Sequence, residues 1–357
     1  MRSLAPRLVR HYSMSGAAST RSARAIRACD QLQKRVSRDD LTKRGIAPLV
    51  RPGQLLAAAE AVLAAPTSPS RKGVLILTGF PCHRERMPPA ESDGPPGAVA
   101  LAVALLALGR SPVTLLIEDH SGHVLRNCAD AAGCGNRADI AAFPTADRWT
   151  ALETTRLDGL RESACGLISI ERAGEAADGV CYTMKGLPMG DNLLGKINTI
   201  AMPGQPDGVW TVGIGDGGNE LGMGSLREEI YAHIPNGETI GCVVRSDAPI
   251  VASISNWGGY ALCCAIAVLT WEEDKVRYQD GERSYASALG HLDQYMPDLP
   301  TARATLHACT TSGALDGINP STEPEASGSV DGLVLEEQLC VVEQLRAIAI
   351  EAMRIMA

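Results

Sequence analysis

Val209-Trp210-Thr211-Val212-Gly213-Ile214 runs directly into Gly215-Asp216-Gly217-Gly218-Asn219-Glu220-Leu221-Gly222-Met223-Gly224, and this stretch decides how the chain reads. Its first part is a short apolar run bounded by turn signals, the mark of a buried strand. Gly213–Gly224 then packs six glycines into twelve residues. Glycine at that density implies positive φ angles and close approach of the backbone to a ligand. A tight strand–helix turn needs one or two glycines and gains nothing from Asp, Asn and Glu among them. Leu226–His233, immediately after, reads as a helix.

The same alternation extends outward in both directions. Apolar runs at Gly73–Leu77, Val113–Ile117, Leu167–Ile170, Ile240–Val244 and Ile250–Ile254 predict further strands. Gln54–Ala65, Ala98–Leu108, Trp149–Arg161 and Gly259–Leu269 predict helices. Continuous apolar strands alternating with helices indicate an α/β fold: three layers, a mostly parallel sheet with helices on both faces. Thr67–Ser70 reads as a linker. Gly313–Asp331, rich in Gly, Ser, Pro and acids, predicts a long loop. Leu333–Met356 predicts an amphipathic helix for packing or for contact between copies in a homo-oligomer. The longest apolar runs, Gly97–Gly109 and Trp257–Leu269, are well short of the roughly 20 residues a spanning helix needs. No membrane partner is expected.

The charge is unevenly spread. The 357 residues carry 33 Lys and Arg against 41 Asp and Glu. Residues 1–45 hold a balance of +8, and residues 46–357 a balance of −16. A body that acidic repels a phosphate backbone, which argues against a nucleic-acid partner. Positions 1–29 are rich in Arg and Ser and hold no acid, the composition of a mitochondrial transit peptide. Arg10-His11-Tyr12-Ser13 is similar to a matrix-protease cleavage site. The expected organisation is therefore a transit peptide at 1–29, a basic leader at 30–46 and one α/β domain at 47–357. Eleven cysteines with no C-x-x-C pair read as reduced, structural thiols.

Polar motifs follow the predicted strands: Thr78-Gly79-Phe80-Pro81, Glu118-Asp119-His120, Glu171-Arg172, Gly215–Gly224 and Ser255-Asn256-Trp257. In open α/β sheets ligands bind outside the carboxyl ends of the strands. Asp216 and Glu220 are placed to hold a cation, either a substrate ammonium or a divalent metal. Glu171 offers an acid for proton transfer, and Arg172 a fork for a carboxylate. Asp93, before Gly94-Pro95-Pro96, and Asn256 are each either site residues or helix starts. Asp178 and Lys185 belong to the loop after Arg172. Gly213, Gly215 and Gly218 formally match a dinucleotide-binding fingerprint. Asp216 and Glu220 would then put negative charge where a pyrophosphate must sit, and Glu238 precedes the next strand instead of ending it. His120 and His123 are a weak metal pair, more often surface residues. Nucleophile-elbow and P-loop motifs are absent.

Together these segments resemble the C-terminal domain of the D-glutamate cyclase family. The matching stretches are Leu77–Pro81, Glu91–Ala98, Ile170–Gly174, Ala176–Gly179, Gly213–Gly224 and Ser255–Leu262. The resemblance covers roughly residues 47–355. It implies conversion of D-glutamate to 5-oxo-D-proline and water in the mitochondrial matrix. Departures are Glu175 where members usually carry a base, Ser92 for a usual Thr, and a degraded acidic segment at Asp191–Gly195. Animal members also carry an N-terminal hydro-lyase-like domain that is not matched here.

Lactam closure needs a base for the amine, an acid for the departing hydroxide and donors for the tetrahedral oxyanion. The expected roles are ammonium binding and proton transfer for Asp216 and Glu220, with Glu171 as second acid. Backbone N–H groups of Gly217 and Gly218 and the Asn219 amide would serve the oxyanion. Arg172 and Lys185 would hold the α-carboxylate, and no cofactor is required. The alternatives use the same residues differently. Asp216, Glu220 and Glu171 would bind Mg²⁺ or Mn²⁺ in a hydrolase of phosphate esters. A dinucleotide-binding oxidoreductase and a non-catalytic ligand-binding subunit complete the set.

Overall fold

A computed structural model describes residues 21–64, 70–201, 208–274, 284–323 and 327–355. Six strands form one sheet: β1 (Gly73–Gly79), β2 (Val113–Glu118), β3 (Asp139–Phe143), β4 (Ala164–Arg172), β5 (Trp210–Gly215) and β6 (Ala248–Val251). Every pairing is parallel, and the order is β3-β2-β1-β4-β5-β6. Strand side chains alternate between two cores. Val74 and Ile76 face one, Leu75 and Leu77 the other. Both faces are covered, which is why these strands read as continuous apolar runs.

The helices are α1 (Ala23–Val36), α2 (Asp39–Thr42), α3 (Gln54–Leu63), α4 (Pro95–Ala107), α5 (Gly122–Ala131), α6 (Ala151–Ser163), α7 (Arg227–His233) and α8 (Gly237–Ile240). They continue with α9 (Ser255–Glu273), α10 (Tyr285–Leu292), α11 (Leu299–Thr311) and α12 (Leu335–Ile355). Helices α3, α4, α5 and α9 supply one core, and α6, α7 and α8 the other. The connection after β1 packs α4 on one face, and that after β4 packs Ile197 and Ile200 on the other. The order reverses between β1 and β4, and a crevice opens outside their carboxyl ends. Helix α9 is apolar all round because it is buried all round, from Ser255 to Leu269. Around it pack α1, α3, α4, α10 and α12. The apolar face of α12 (Leu339, Val342, Leu345, Ala349, Met353) is used inside the chain.

Three expectations change. Asp139–Phe143 is a strand the sequence reading missed: it is a short edge strand, and Asp139 and Ile140 are not buried. Ile240–Val244 is not a strand. Ile240 ends α8, and Cys242 and Val244 pack into the far core from irregular backbone that bonds to Gly218, Glu175 and Gly224. A short buried apolar run carries no mark that separates the two outcomes. Helix α1 straddles the boundary expected at 29/30, and Ala25, Ala28, Cys29, Leu32 and Val36 belong to the main core. The described part of the expected transit segment, from 21 on, and the expected leader thus pack with the α/β body. The cleavage-like segment at 10–13 and most of the linker at 67–70 lie outside the described residues. No described helix is long and apolar enough to cross a membrane, and all eleven cysteines are free thiols.

Leu32 tests this boundary. It is wholly buried, so Leu32→Ala should lower the unfolding free energy by about 2–5 kcal/mol. Urea denaturation measures it. A leader outside the fold would give no change.

Candidate active site

Strand β4 ends on a bulge. Its register against β1 advances three residues, Ser169 to Arg172, while β1 advances two, Leu77 to Gly79. Glu171 takes up the extra residue in the left-handed region, φ 40°. That conformation costs about 1–2 kcal/mol for a residue with a Cβ, and strain of this kind gathers at functional sites. The bulge sends the two charged neighbours to different partners. Arg172 is fully buried and forks onto both oxygens of Glu118 at the end of β2, with Nε on Asn198. Glu171 accepts the Ser255 hydroxyl at 2.6 Å and lies beside Asp216 and Glu220. Arg172 is therefore a structural tie and not the expected carboxylate clamp. Removing one partner of such a buried pair costs about 3–5 kcal/mol.

The glycine-rich loop after β5 wraps around its own acid. Glu220 Oε1 accepts the N–H groups of Asp216 and Gly217, and Oε2 that of Gly218, at 2.6–3.0 Å. Gly215 must be glycine because a Cβ there would lie 2.5 Å from the Glu220 carboxylate. Gly218 has φ 92°. The loop is a ready anion nest, but Glu220 already fills it. This corrects two readings. Gly217 and Gly218 N–H groups are not free for an oxyanion, and the fingerprint glycines have no room for a pyrophosphate. The Asn219 amide is likewise engaged, donating to Tyr182 O at 2.7 Å.

Asp93 and Asn256 tie the turn after β1 to the start of α9. Asp93 accepts the N–H groups of Gly94, Ser255 and Asn256 at 2.7–2.9 Å. Asn256 Oδ1 accepts from Gly94 and Gly97, and its Nδ2 donates to Ser92 O. Asp93 reaches the pocket, and the helix it caps is α9, not the α4 that follows it in sequence. Asn256 is a clip. Asp178 and Lys185 are exposed, and Asp178 bonds to Tyr182 and Val180, so neither joins the site. His120 and His123 engage different elements, through Leu193 O and Ser312 O, and form no metal pair.

Three pocket residues lie outside the sequence reading. Glu91 precedes the Asp93 turn. Asp331, also left-handed at φ 52°, ends the loop at 313–331, which docks on the site through Ser92–Ser329 and Ala90–Leu315 bonds. Arg44 comes from the expected leader and pairs with Asp216 and, at 2.7 Å, with Asp331. No strand or helix periodicity marks either segment. The signals that exist are Lys43-Arg44-Gly45 and Asp331-Gly332, charged residues beside turn glycines.

Six buried carboxyls thus converge: Glu91, Asp93, Glu171, Asp216, Glu220 and Asp331. Arg44 is the basic group that pairs with them. Burial, reinforced by neighbouring carboxylates, pushes Glu91 and Glu171 well above the ordinary carboxylate range, and burial pushes Asp216 the same way against the opposing charge of Arg44. Asp93 is pushed up to about 7 by burial and by Asp331. Burial opposes the charge of Arg44, but Asp216, Asp331, Glu171 and Glu91 outweigh it and keep the guanidinium charged. Asp216 Oδ2 and Glu91 Oε1 are buried without a hydrogen-bond partner. Two sets of acids bring oxygens within 4.8 Å of one another: Asp93, Asp216 and Asp331, and Glu171, Asp216 and Glu220. Such an all-oxygen set fits Mg²⁺ or Mn²⁺ chemically. In the first set Arg44 already holds two of the three acids, and in the second Glu220 is taken by the loop.

A carboxyl whose pKa is higher folded than unfolded binds its proton more tightly in the folded state. The stability it contributes is full below the unfolded value and is lost as pH rises through the folded one. For Asp93 that window runs from about 4 to about 7. Wild type should therefore lose thermal stability relative to Asp93→Asn across this range, followed by calorimetry. A difference that stays flat with pH contradicts the raised value.

With this geometry in view, the comparisons are specific. The family described as D-glutamate cyclase-like, C-terminal, matches residues 32–346. That range contains every pocket residue from Arg44 to Asp331. A human protein, "D-glutamate cyclase, mitochondrial", is 32% identical over 266 residues, which are 72% of this chain and 41% of that protein. The chain therefore spans about two fifths of the length of this curated relative. On the family match, the chain belongs to the D-glutamate cyclase-like C-terminal family.

Proposed function

We propose that this chain is a carbon–oxygen lyase that closes D-glutamate to 5-oxo-D-proline with release of water. The observation that carries the reading is the pocket of six buried carboxyls, in which burial and neighbouring acids favour the protonated form of Glu91 and Glu171. The family assignment and the human relative's name support the same reaction.

The chemistry asks for such a pocket. The α-amine nitrogen attacks the γ-carboxyl carbon, a C–N bond forms and a C–O bond breaks. An ionised γ-carboxylate is a poor electrophile, and hydroxide is a poor leaving group. Protonated Glu171 answers both problems. It gives its proton to the γ-carboxyl, takes the second proton from the attacking nitrogen once the C–N bond has formed, and passes that proton to the departing oxygen, which leaves as water. Asp216, paired with Arg44, receives the ammonium. The ammonium must lose a proton before it attacks. Asp93, titrating near 7, is poised to take it. Ring closure is intramolecular, so the enzyme's remaining task is to hold the folded substrate. Glu220 acts on the loop and not on the substrate.

A second reading rests on the two triads of acid oxygens. Asp93, Asp216 and Asp331 would hold Mg²⁺ or Mn²⁺ if Arg44 moved aside, and the ion would supply Lewis-acid chemistry for hydrolysis. We propose a mitochondrial location, on the basic, acid-free composition of positions 1–20 and on the human relative's name.

The test incubates the full chain with D- and L-glutamate and resolves 5-oxoproline by chiral chromatography. We expect 5-oxo-D-proline, with Glu171→Gln and Asp216→Asn each reducing kcat about 100-fold or more. No product above these two variants rejects the cyclase reading. Activity lost to EDTA and restored by Mn²⁺ favours the metal reading.

A further inference from the structure

Arg44 is held in the pocket by an unusual strap. Residues 39–45 run between two anchors. On one side Ser253 bonds to the carbonyls of Val36 and Arg38. On the other, Ile46 and Leu49 are buried in the far core. Lys43 and Gly45, either side of Arg44, are both left-handed, φ 55° and 80°. Asp39 Oδ1 fixes the turn by accepting the N–H groups of Gly45 and Ile46. Lys43 is exposed and Gly45 half-buried. The strap is therefore shaped to deliver one guanidinium.

That guanidinium spans two acids from different loops, Asp216 after β5 and Asp331 before α12. It leaves Asp216 Oδ2 and Glu91 Oε1 with no donor, although both residues are more than nine-tenths buried. Burying such polar oxygens unpartnered costs free energy, and hydrogen-bond partners from a ligand would remove that cost. One positive charge facing six carboxyls is also the reverse of what an anion-binding pocket needs.

We propose that Arg44 is an exchangeable counter-ion that makes the pocket selective for the zwitterionic head of an α-amino acid. The ligand's ammonium takes over Asp216 and Asp331 and supplies the missing donors. Arg44, released from one or both acids, receives the ligand's α-carboxylate. The two charges of the head group are separated by a single carbon, so one ligand completes both halves of the exchange. An amine alone would displace Arg44 and leave it unpaired among acids. A dicarboxylate alone would add anions without relieving any. This rests on the amino-acid reading of the pocket given above and extends it from reaction to recognition.

Calorimetry on the full chain tests the exchange with three probes. D-Glutamate carries both head-group charges, glutarate lacks the amine, and 4-aminobutanoate lacks the α-carboxylate. Wild type should bind D-glutamate about 10–100-fold more tightly than either analogue. Arg44→Ala should lose most of that preference while binding 4-aminobutanoate at least as well as wild type, because the amine no longer competes with a tethered cation. Arg44→Lys, which keeps the charge, guards against simple misfolding and should retain part of the preference. Equal affinity of wild type and Arg44→Ala for D-glutamate overturns the proposal. So does loss of D-glutamate and 4-aminobutanoate in equal measure, or failure of wild type to bind any α-amino acid. Binding in the expected pattern without formation of 5-oxoproline rejects the cyclase reaction and leaves the exchange standing.

Discussion

One guanidinium among six buried carboxyls is the constraint on which the rest of the site depends. Arg44 bridges Asp216 and Asp331, and around them Glu91, Asp93, Glu171 and Glu220 are also withdrawn from water. Six ionised acids and one cation in a low-dielectric crevice would repel strongly. Burial and mutual repulsion relieve this by favouring the protonated forms of Glu91 and Glu171, and Arg44 offsets the charge of Asp216 and Asp331. The pocket also ties Glu220 to three loop N–H groups and Asp93 to the positive end of α9. Each acid thus has its own arrangement, and the arrangements differ enough to set proton donors beside a proton acceptor.

The fold makes this concentration of charge tolerable. The reversal of strand order between β1 and β4 opens a crevice, and the loops after β1, β4 and β5 bring acids into it from rigid strand ends. Helix α9, buried on all sides, points its N-terminus at Asp93. Glu171 and Asp331 both hold left-handed conformations at the pocket, and Lys43 holds one beside Arg44. Well-packed cores on both sheet faces over-determine those positions and absorb the strain.

Much of this was legible in the sequence. Apolar runs mark β1, β2 and β5 nearly whole, the middle of β4 and half of β6, because strands buried on both faces leave unbroken apolar runs. Strand β3 is unmarked, because an edge strand with exposed Asp139 leaves none. Asp216, Glu220 and Glu171 are visible because each follows an apolar strand run, and Asp93 because it stands before the Gly94-Pro95-Pro96 helix start. Their roles were less visible. Nothing local says that Arg172 will meet Glu118, since β4 reaches β2 only across β1. Nothing local says that Glu220 will curl back onto the loop's own N–H groups. Arg44 and Asp331 escaped notice for a related reason: they enter the pocket from segments without periodicity, 172 and 115 residues away from Asp216. The N-terminal composition that reads as an address also conceals an amphipathic helix, with Ala25, Ala28, Leu32 and Val36 on its buried side.

The account's central claim is that burial keeps protons on the pocket acids Glu91 and Glu171 at neutral pH. Infrared difference spectroscopy of the carboxylic-acid C=O stretch measures this directly. The ligand-free protein at pH 7 should show protonated-carboxyl bands that disappear in part in Glu171→Gln and Glu91→Gln and that shift when D-glutamate is added. A spectrum at pH 7 with no protonated carboxyl, or with bands indifferent to both substitutions and to the ligand, would contradict the account.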